Sequence, residues 1–229
     1  HTAAFIQHNC DVEKLIYYLG GPHLGKQPQW QSIINKLKRG VTKEILQELE
    51  RVYRYGAPRK INATNTEENL LEYYKYGNHE SVTKNPDDFL KVLVKDYKQG
   101  NTVLFDIRCF AFVPNSHLCP QAIANLDDPW KKSRHISDSS FLVQPESHTI
   151  NTWASKSTEW PLFFPGSLDR TLIWIYNLRI TYPKLEILLG DDDVTNAFKW
   201  VKNNPSIVAM CGFTSPEHAV LGFCTGQNF

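Results

Sequence analysis

The chain of 229 residues is 41% hydrophobic and 12% aromatic, which is enough apolar content for a packed core and too much for a disordered polypeptide. Its formal net charge of +1 supplies no overall attraction for nucleic acid, so any such contact must come from local basic patches. Five cysteines without a CxxC pair argue against a disulfide framework, and no apolar run is long enough to span a membrane. We therefore expect an intracellular protein of the cytoplasm or nucleus, without a membrane partner.

The sequence between residues 11 and 98 predicts a run of amphipathic helices. Apolar residues recur at helical spacing, and capping residues, a proline or glycines mark the ends of the stripes. The marking residues are Trp30 and Gly40, Thr42 and Gly56, Thr66, and finally Asn85, Pro86 and Gly100. The part of the chain up to about residue 100 is therefore expected to be helical.

The stretch 51–60 interleaves basic residues with tyrosines, a pattern that can follow a phosphate backbone and stack on bases. The residues are Arg51, Tyr53, Arg54, Tyr55, Arg59 and Lys60. The alternative is a solvated helix face whose tyrosines belong to the core.

From residue 101 onward the pattern changes to short apolar runs broken by prolines, which are typical of strands or extended segments. Such runs lie at 103–105, 109–113, 122–124 and 134–136. The last two predict a hairpin whose tip, residues 125–132, brings Lys131 and Lys132 close to Arg134. An ordinary hairpin with a charged tip is the alternative interpretation. Residues 168–178 are apolar nearly all round and predict a buried helix, with Arg170 and Arg179 near its ends.

The stretch 185–205 combines a short apolar strand, 185–189, with three consecutive aspartates at 191–193 and an amphipathic turn. Carboxylates at the end of a strand are suited to hold a hard divalent cation. Asp191 and Asp193 would share one face of a strand. The same aspartates could instead cap the following helix. Residues 206–213 and 219–224 predict two further strands, which would return the chain beside 185–189.

Four segments resemble the reverse transcriptases of retroelements. Residues 193–198, DVTNAF, resemble the first catalytic motif, and residues 132–138, KSRHISD, resemble the K-x-R-x-hydrophobic-x-D segment of the fingers. Residues 119–124 resemble the fingers strand that precedes this segment, and residues 177–183 resemble the link from fingers to palm. The resemblance covers roughly residues 92–229.

Together with the helical pattern before residue 100, the resemblance predicts an α+β fold with two regions: a helical N-terminal region (1–100), and a partial fingers and palm of a right-hand polymerase (101–229). It implies RNA-directed DNA synthesis on an RNA or DNA template-primer with dNTP substrates. Two Mg²⁺ (or Mn²⁺) ions would assist the reaction.

The same resemblance assigns roles to individual residues. Asp193 would be catalytic and, with Val194, would ligate metal. Arg134 and Lys132 would grip the triphosphate of the incoming nucleotide, and Phe198 would lie under its sugar. Apart from the resemblance, Lys131, Arg170 and Arg179 are candidates to contact nucleic acid, and pairing with a nearby carboxylate is an equal alternative for Arg170 and Arg179. Asn125 stands where relatives carry a lysine, so a triphosphate contact there would be missing or supplied by Lys131.

The second carboxylate motif of the family is absent from the 229 residues, which begin at His1 and stop in mid-pattern. We therefore expect a fragment that does not polymerise by itself. A non-catalytic nucleic-acid-binding relic or domesticated module remains the alternative. A third hypothesis is an unrelated α+β domain in which the aspartates bind Mg²⁺ for a phosphatase-like reaction, but the chain offers no phosphate-cradling glycine loop.

Overall fold

A computed structural model shows a mixture of helices and strands, so the fold class is α+β. The structure describes residues 1–25, 29–38, 40–58, 61, 65–113, 115–126, 133–154, 167–184, 186–187, 199 and 201–226. The chain divides into two compact units, one formed by His1–Ser155 with Asn196–Phe229 and the other by Lys156–Thr195.

The predicted helical run before residue 100 is confirmed. The α-helices of this part are α1 (Thr2–Gln7), α2 (Val12–Tyr18), α3 (Trp30–Leu37), α4 (Lys43–Tyr55), α5 (Glu67–Tyr76), α6 (Glu80–Thr83) and α7 (Pro86–Lys98). Two of the predicted helix starts are visible in the capping contacts and in the residues of the first turn. The hydroxyl of Thr66 accepts a hydrogen bond from the backbone N–H of Asn69 at 3.2 Å, and Pro86 occupies the first turn of α7.

A three-stranded antiparallel sheet forms the centre of the first unit. Its strands are β1 (Thr102–Asp106), β4 (Gly212–Ser215) and β5 (Val220–Cys224), in the order β1-β5-β4. Thr102 pairs with Cys224 across β1 and β5, and Gly212 pairs with Phe223 across β4 and β5. β5 therefore has a neighbour on both sides. The expected strand at 185–189 falls mostly outside the described residues and stays a prediction.

Alternation along the strands gives this sheet two apolar faces. Side chains of β1 and β5 on one face pack with the first helices; they are Val103, Phe105, Leu221 and Phe223 with Phe5, Leu15, Ile16 and Tyr73. The opposite face packs with the later helices and with Ile123; this cluster also contains Phe213 and Cys224 with Val82, Phe89 and Leu93. Because both faces are covered, the N-terminal helices share their core with strands from the far end of the chain.

A second, two-stranded sheet confirms the predicted hairpin strands. It consists of β2 (Gln121–Ala124) and β3 (Arg134–Ser137), which pair antiparallel. A short helix, α8 (Ile150–Trp153), follows and starts with a capping box between Thr149 and Thr152.

The expected strand at 109–113 is wrong, and so is most of the expected strand at 206–213. Residues Ile107–Phe112 form a 3₁₀ helix, and so do residues Pro205–Cys211. The strand prediction for 206–213 therefore holds only from Gly212 onward. The turn that joins β4 to β5 is also a 3₁₀ helix, Pro216–His218.

The described part of the second unit is dominated by one helix, α9 (Ser167–Thr181). The sequence predicted this helix but predicted it to be buried, which is wrong, because Ile173 is 59% exposed, Trp174 62% and Tyr176 65%. Among the described residues no helix combines the length and the apolar character needed to cross a membrane.

Candidate functional site

Arg134 is the predicted nucleotide-binding residue whose surroundings the structure describes. It begins β3 and pairs with Ala124, the last residue of β2, so it lies where the hairpin strands lead into their connection. Its side chain is exposed, whereas the next residue, His135, turns a side chain that is 1% exposed toward the interior. The alternation of β3 therefore presents the guanidinium to solvent and uses its neighbour as an anchor.

Asp138, which directly follows β3, is also held in place. Oδ2 of Asp138 lies 3.3 Å from Nε2 of His79, the residue that precedes α6. The backbone N–H of His79 donates to the carbonyl of Gln121 on β2 at 3.0 Å. Nδ1 of the same histidine lies 3.2 Å from the hydroxyl of Tyr76. His79 thus connects the helical region to β2 and to Asp138, the residue that follows β3.

Asp96, a buried residue of α7, connects β3 to Lys199, which follows the aspartate motif (the three aspartates at 191–193). Asp96 is 3% exposed, and its Oδ2 atom lies 3.2 Å from Nδ1 of His135. The same oxygen accepts a hydrogen bond from Nζ of Lys199, whose side chain is largely buried. One carboxylate oxygen therefore contacts two basic side chains that are far apart in sequence.

His135 is enclosed on its other side as well. Its Nε2 atom lies 2.5 Å from Oε1 of Gln121 on β2. The amide nitrogen of Gln121 donates in turn to the hydroxyl of Ser137 at 3.2 Å. The rings of Phe89 and Phe213 meet the imidazole edge to face, with centroids 5.5 and 6.1 Å away. The imidazole consequently has little freedom to change its rotamer.

Burial and pairing shift the pKa values of Asp96 and His135 in opposite directions. Burial raises the pKa of Asp96, but hydrogen bonding to His135 and the charge of Lys199 outweigh it, so the pKa lies below its ordinary value. Burial lowers the pKa of His135, and the contact with Asp96 offsets this effect only in part. Asp96 is thus a carboxylate at neutral pH and supplies the negative charge that stabilises the Lys199 ammonium.

A second buried lysine, Lys202, fixes the chain just after Lys199. Lys202 is 4% exposed, and its Nζ atom donates to the carbonyl of Gly100 at 2.8 Å and to Oδ1 of Asn101 at 2.7 Å. Burial lowers the pKa of Lys202 to about 8, since few charges compensate for the lost hydration. The main chain is tied down too, because the N–H of Ala57 donates to the carbonyl of Lys202 at 2.7 Å.

The remaining predicted site residues are distributed as follows. Lys131, Lys132, Asp193, Val194 and Phe198 lie outside the described residues, as do the flanking aspartates 191 and 192. Arg170 and Arg179 are exposed on α9 in the second unit, where Nη1 of Arg179 lies 3.4 Å from the carbonyl of Pro183. Their roles stay predictions.

Sequence reasoning missed Asp96, Lys199 and Lys202. Asp96 did carry a signal, because it continues the spacing of Phe89 and Leu93, the buried residues of α7. An acidic residue on the apolar stripe of a helix requires a buried partner. Nothing in the sequence indicated which basic residue that partner would be.

The described residues contain no group of three or more His, Cys, Asp or Glu side chains arranged to hold a metal ion. The candidate ligands Asp193 and Val194 are not among them. The structure brings the carboxylate of Asp96 together with the imidazole of His135 and the ammonium of Lys199, and His135 directly follows the exposed Arg134. The chain matches no family model, no curated protein and no solved structure.

Proposed function

We propose that this chain is part of an RNA-directed DNA polymerase of a retroelement, containing its fingers and the first strands of its palm. In this proposal Arg134 and Lys132 contact the triphosphate of an incoming dNTP. Asp193 and Val194 hold Mg²⁺ (or Mn²⁺), and Phe198 lies under the sugar. Lys131, Arg170 and Arg179 contact the RNA or DNA template-primer.

The observation that carries the proposal is the geometry of β3. Arg134 is exposed at the start of a strand that pairs with β2, while His135 beside it is locked in the interior. An arginine on a rigid strand suits phosphate recognition, because the planar guanidinium can donate two parallel hydrogen bonds to phosphate oxygens. Because the packing of His135 already fixes the strand, binding a nucleotide would cost little further ordering of β3.

The order of the described elements supports the same proposal. The hairpin β2–β3 precedes the aspartate motif in sequence, and a second hairpin, β4–β5, follows it. This is the order that the resemblance to fingers and palm implies. A bound Mg²⁺ ion would neutralise triphosphate charge and orient the reacting groups. The chain itself would contribute the basic side chains that bind and orient the nucleotide.

Nucleotide binding tests the proposal without requiring polymerisation. We expect the chain to bind a dNTP in the presence of Mg²⁺ in a calorimetric titration, and Arg134→Ala to weaken this binding by about tenfold or more. Arg108→Ala is the matched control, since Arg108 is an exposed arginine of the same unit that already pairs with Asp106. Equal affinities for Arg134→Ala and the unsubstituted chain would contradict the proposed role of Arg134.

The same titrations separate the polymerase from the non-catalytic binding module, which the exposed arginine on the hairpin also permits. For a polymerase, Asp193→Ala should abolish the Mg²⁺ dependence of nucleotide binding. For a binding module, Asp193→Ala should change nothing, while Arg134→Ala should weaken salt-dependent binding to a labelled oligonucleotide.

A further inference from the structure

Asp96, in the C-terminal half of α7, contacts two residues that each stand next in sequence to a proposed nucleotide contact. Asp96 contacts His135, which directly follows Arg134 in sequence, and Lys199, which directly follows Phe198. Neighbouring Cα atoms are only about 3.8 Å apart, so a side chain that is fixed in the interior restricts where its neighbour can point. A single carboxylate thus restrains the backbone beside both proposed nucleotide contacts.

The segment around Lys199 is held at several further points, so the Asp96 contact is part of a rigid junction. A Cβ atom on Gly226 would lie 2.9 Å from the carbonyl oxygen of Lys199, which shows how closely the two backbones approach. Lys202 is fixed by Gly100 and Asn101, two residues just beyond the end of α7.

The main chain on the other side of Lys202 is fixed by the loop that follows α4. A Cβ atom on Gly56 would lie 2.6 Å from the carbonyl oxygen of Asn203, and Gly56 has a φ of +80°. The N–H of Asn204 donates to the carbonyl of Ala57 at 3.0 Å. The end of α7 and the loop after α4 therefore both contact the described residues of this segment, Lys199 and residues 202–204.

We propose that Asp96 is a positioning residue of the nucleotide site, and that the N-terminal helical region belongs to that site as its support. Asp96 holds β3, the strand that carries Arg134, in a fixed arrangement with Lys199, the residue that follows Phe198 in sequence. This inference rests on the proposed function, and it assigns residues 1–100 a part in substrate binding although the proposed function gives none of them a contact with the nucleotide.

The informative substitution is Asp96→Asn, because the amide keeps the size of the side chain and removes its charge. Lys199 and His135 would then lose a charge-assisted hydrogen-bond acceptor in a buried site, which favours rearrangement of both. We expect dNTP binding in Mg²⁺ to weaken by about tenfold or more, since small displacements of binding groups have large effects. Affinity for a labelled template-primer should fall much less, because two of the three residues assigned to it, Arg170 and Arg179, belong to α9 of the second unit.

Two further variants keep the test valid if Asp96→Asn unfolds the chain. Lys199→Met retains the stem of the side chain and leaves the contact between Asp96 and His135 intact, and it should also weaken dNTP binding selectively. Asp88→Asn is the matched control, since Asp88 lies on the same helix and forms an exposed ion pair with Lys91. That control should bind dNTP like the unsubstituted chain.

The outcomes distinguish this inference from the proposed function. A selective loss of dNTP affinity in Asp96→Asn or Lys199→Met supports the positioning role. Equal loss of dNTP and template-primer affinity would show a structural role only and would overturn it, and unchanged dNTP affinity in folded variants would overturn it as well. An unsubstituted chain that binds no dNTP would overturn both the proposed function and this inference.

Discussion

His117 is a single buried residue whose protonation state affects the stability of the fold. It is 1% exposed, and its ring lies edge to face against Tyr73, with centroids 4.6 Å apart. The amide nitrogen of Asn65 lies 3.5 Å from Nδ1 of His117 and donates to the carbonyl of Ser116 at 2.7 Å. Burial lowers the pKa of His117 to about 4, because a charged imidazole would lose its hydration there.

This shift predicts a loss of stability in acid. As pH falls from 6.5 to 4, His117 binds a proton in the unfolded chain but not in the folded chain, so the free energy of unfolding decreases. We expect His117→Phe to lack this contribution, which amounts to roughly 2–3 kcal/mol. Urea titrations of both proteins at pH 7, 5.5 and 4 measure the difference, and parallel pH dependences would contradict the assignment.

Residue chemistry also explains why the candidate site could be predicted only in part. Arg134 was predicted from its motif, and the structure describes it on the predicted strand. The partners Asp96 and Lys199 were not predicted, because an ion pair between residues 96 and 199 leaves no periodic pattern in the sequence. The acidic residue on the apolar stripe of α7 indicated that a partner was needed but not its identity.

At the scale of the elements, the packing of the central sheet requires a glycine at position 222, because the ring of Phe213 occupies the space of a side chain there. Gly222 on β5 pairs with Phe213 on β4, and a Cβ atom at Gly222 would lie 2.2 Å from Cζ of Phe213. Phe213 is fully buried, so its ring cannot move aside without displacing other core side chains.

Gly222→Ala should therefore destabilise the protein by about 1–3 kcal/mol or more, as expected for overpacking of a core. Gly40→Ala is the matched control, because a Cβ atom there would have no neighbour within 4 Å. Phe213→Leu combined with Gly222→Ala should recover part of the loss. Chemical denaturation of the three variants and the parent measures these differences, and a neutral Gly222→Ala would contradict the packing argument.

The elements that the sequence predicted well are those with local start signals. Thr66 and Pro86 begin helices where the sequence placed them. The two 3₁₀ helices were mistaken for strands because a short apolar run does not reveal its periodicity. They too have local signals, since Asp106 accepts a hydrogen bond from the N–H of Arg108 at 2.9 Å and Asn204 accepts one from Ser206 at 3.1 Å.

At the scale of the whole molecule, the N-terminal helices and the sheet cannot be separated without dividing a core. One face of β1 and β5 packs against side chains of α1, α2 and α5, among them Phe5, Leu15 and Tyr73. The predicted division at residue 100 therefore marks a change of secondary structure within one compact unit.

Deletion of residues 1–98 should abolish cooperative folding, because it removes the helical half of both apolar clusters. We expect the truncated chain to lose its thermal unfolding transition and its near-ultraviolet circular dichroism. Replacement of residues 156–195 by a Gly/Ser linker of the same length is the control, and it should retain the transition since those residues form a separate unit. A cooperative transition in the truncated chain would show that the strands fold without the helices.

The position of β5 between β1 and β4 also has a consequence for synthesis on the ribosome. Thr102 pairs with Cys224, which is made 122 residues later (224 − 102), so β1 emerges long before its partner exists. Closing so long a loop is slow, and the apolar residues of β1 remain available to other chains until then. Slower translation between the codons for Asp106 and Val220 would lengthen that interval, whereas a pause after β5 has emerged would give the sheet time to close.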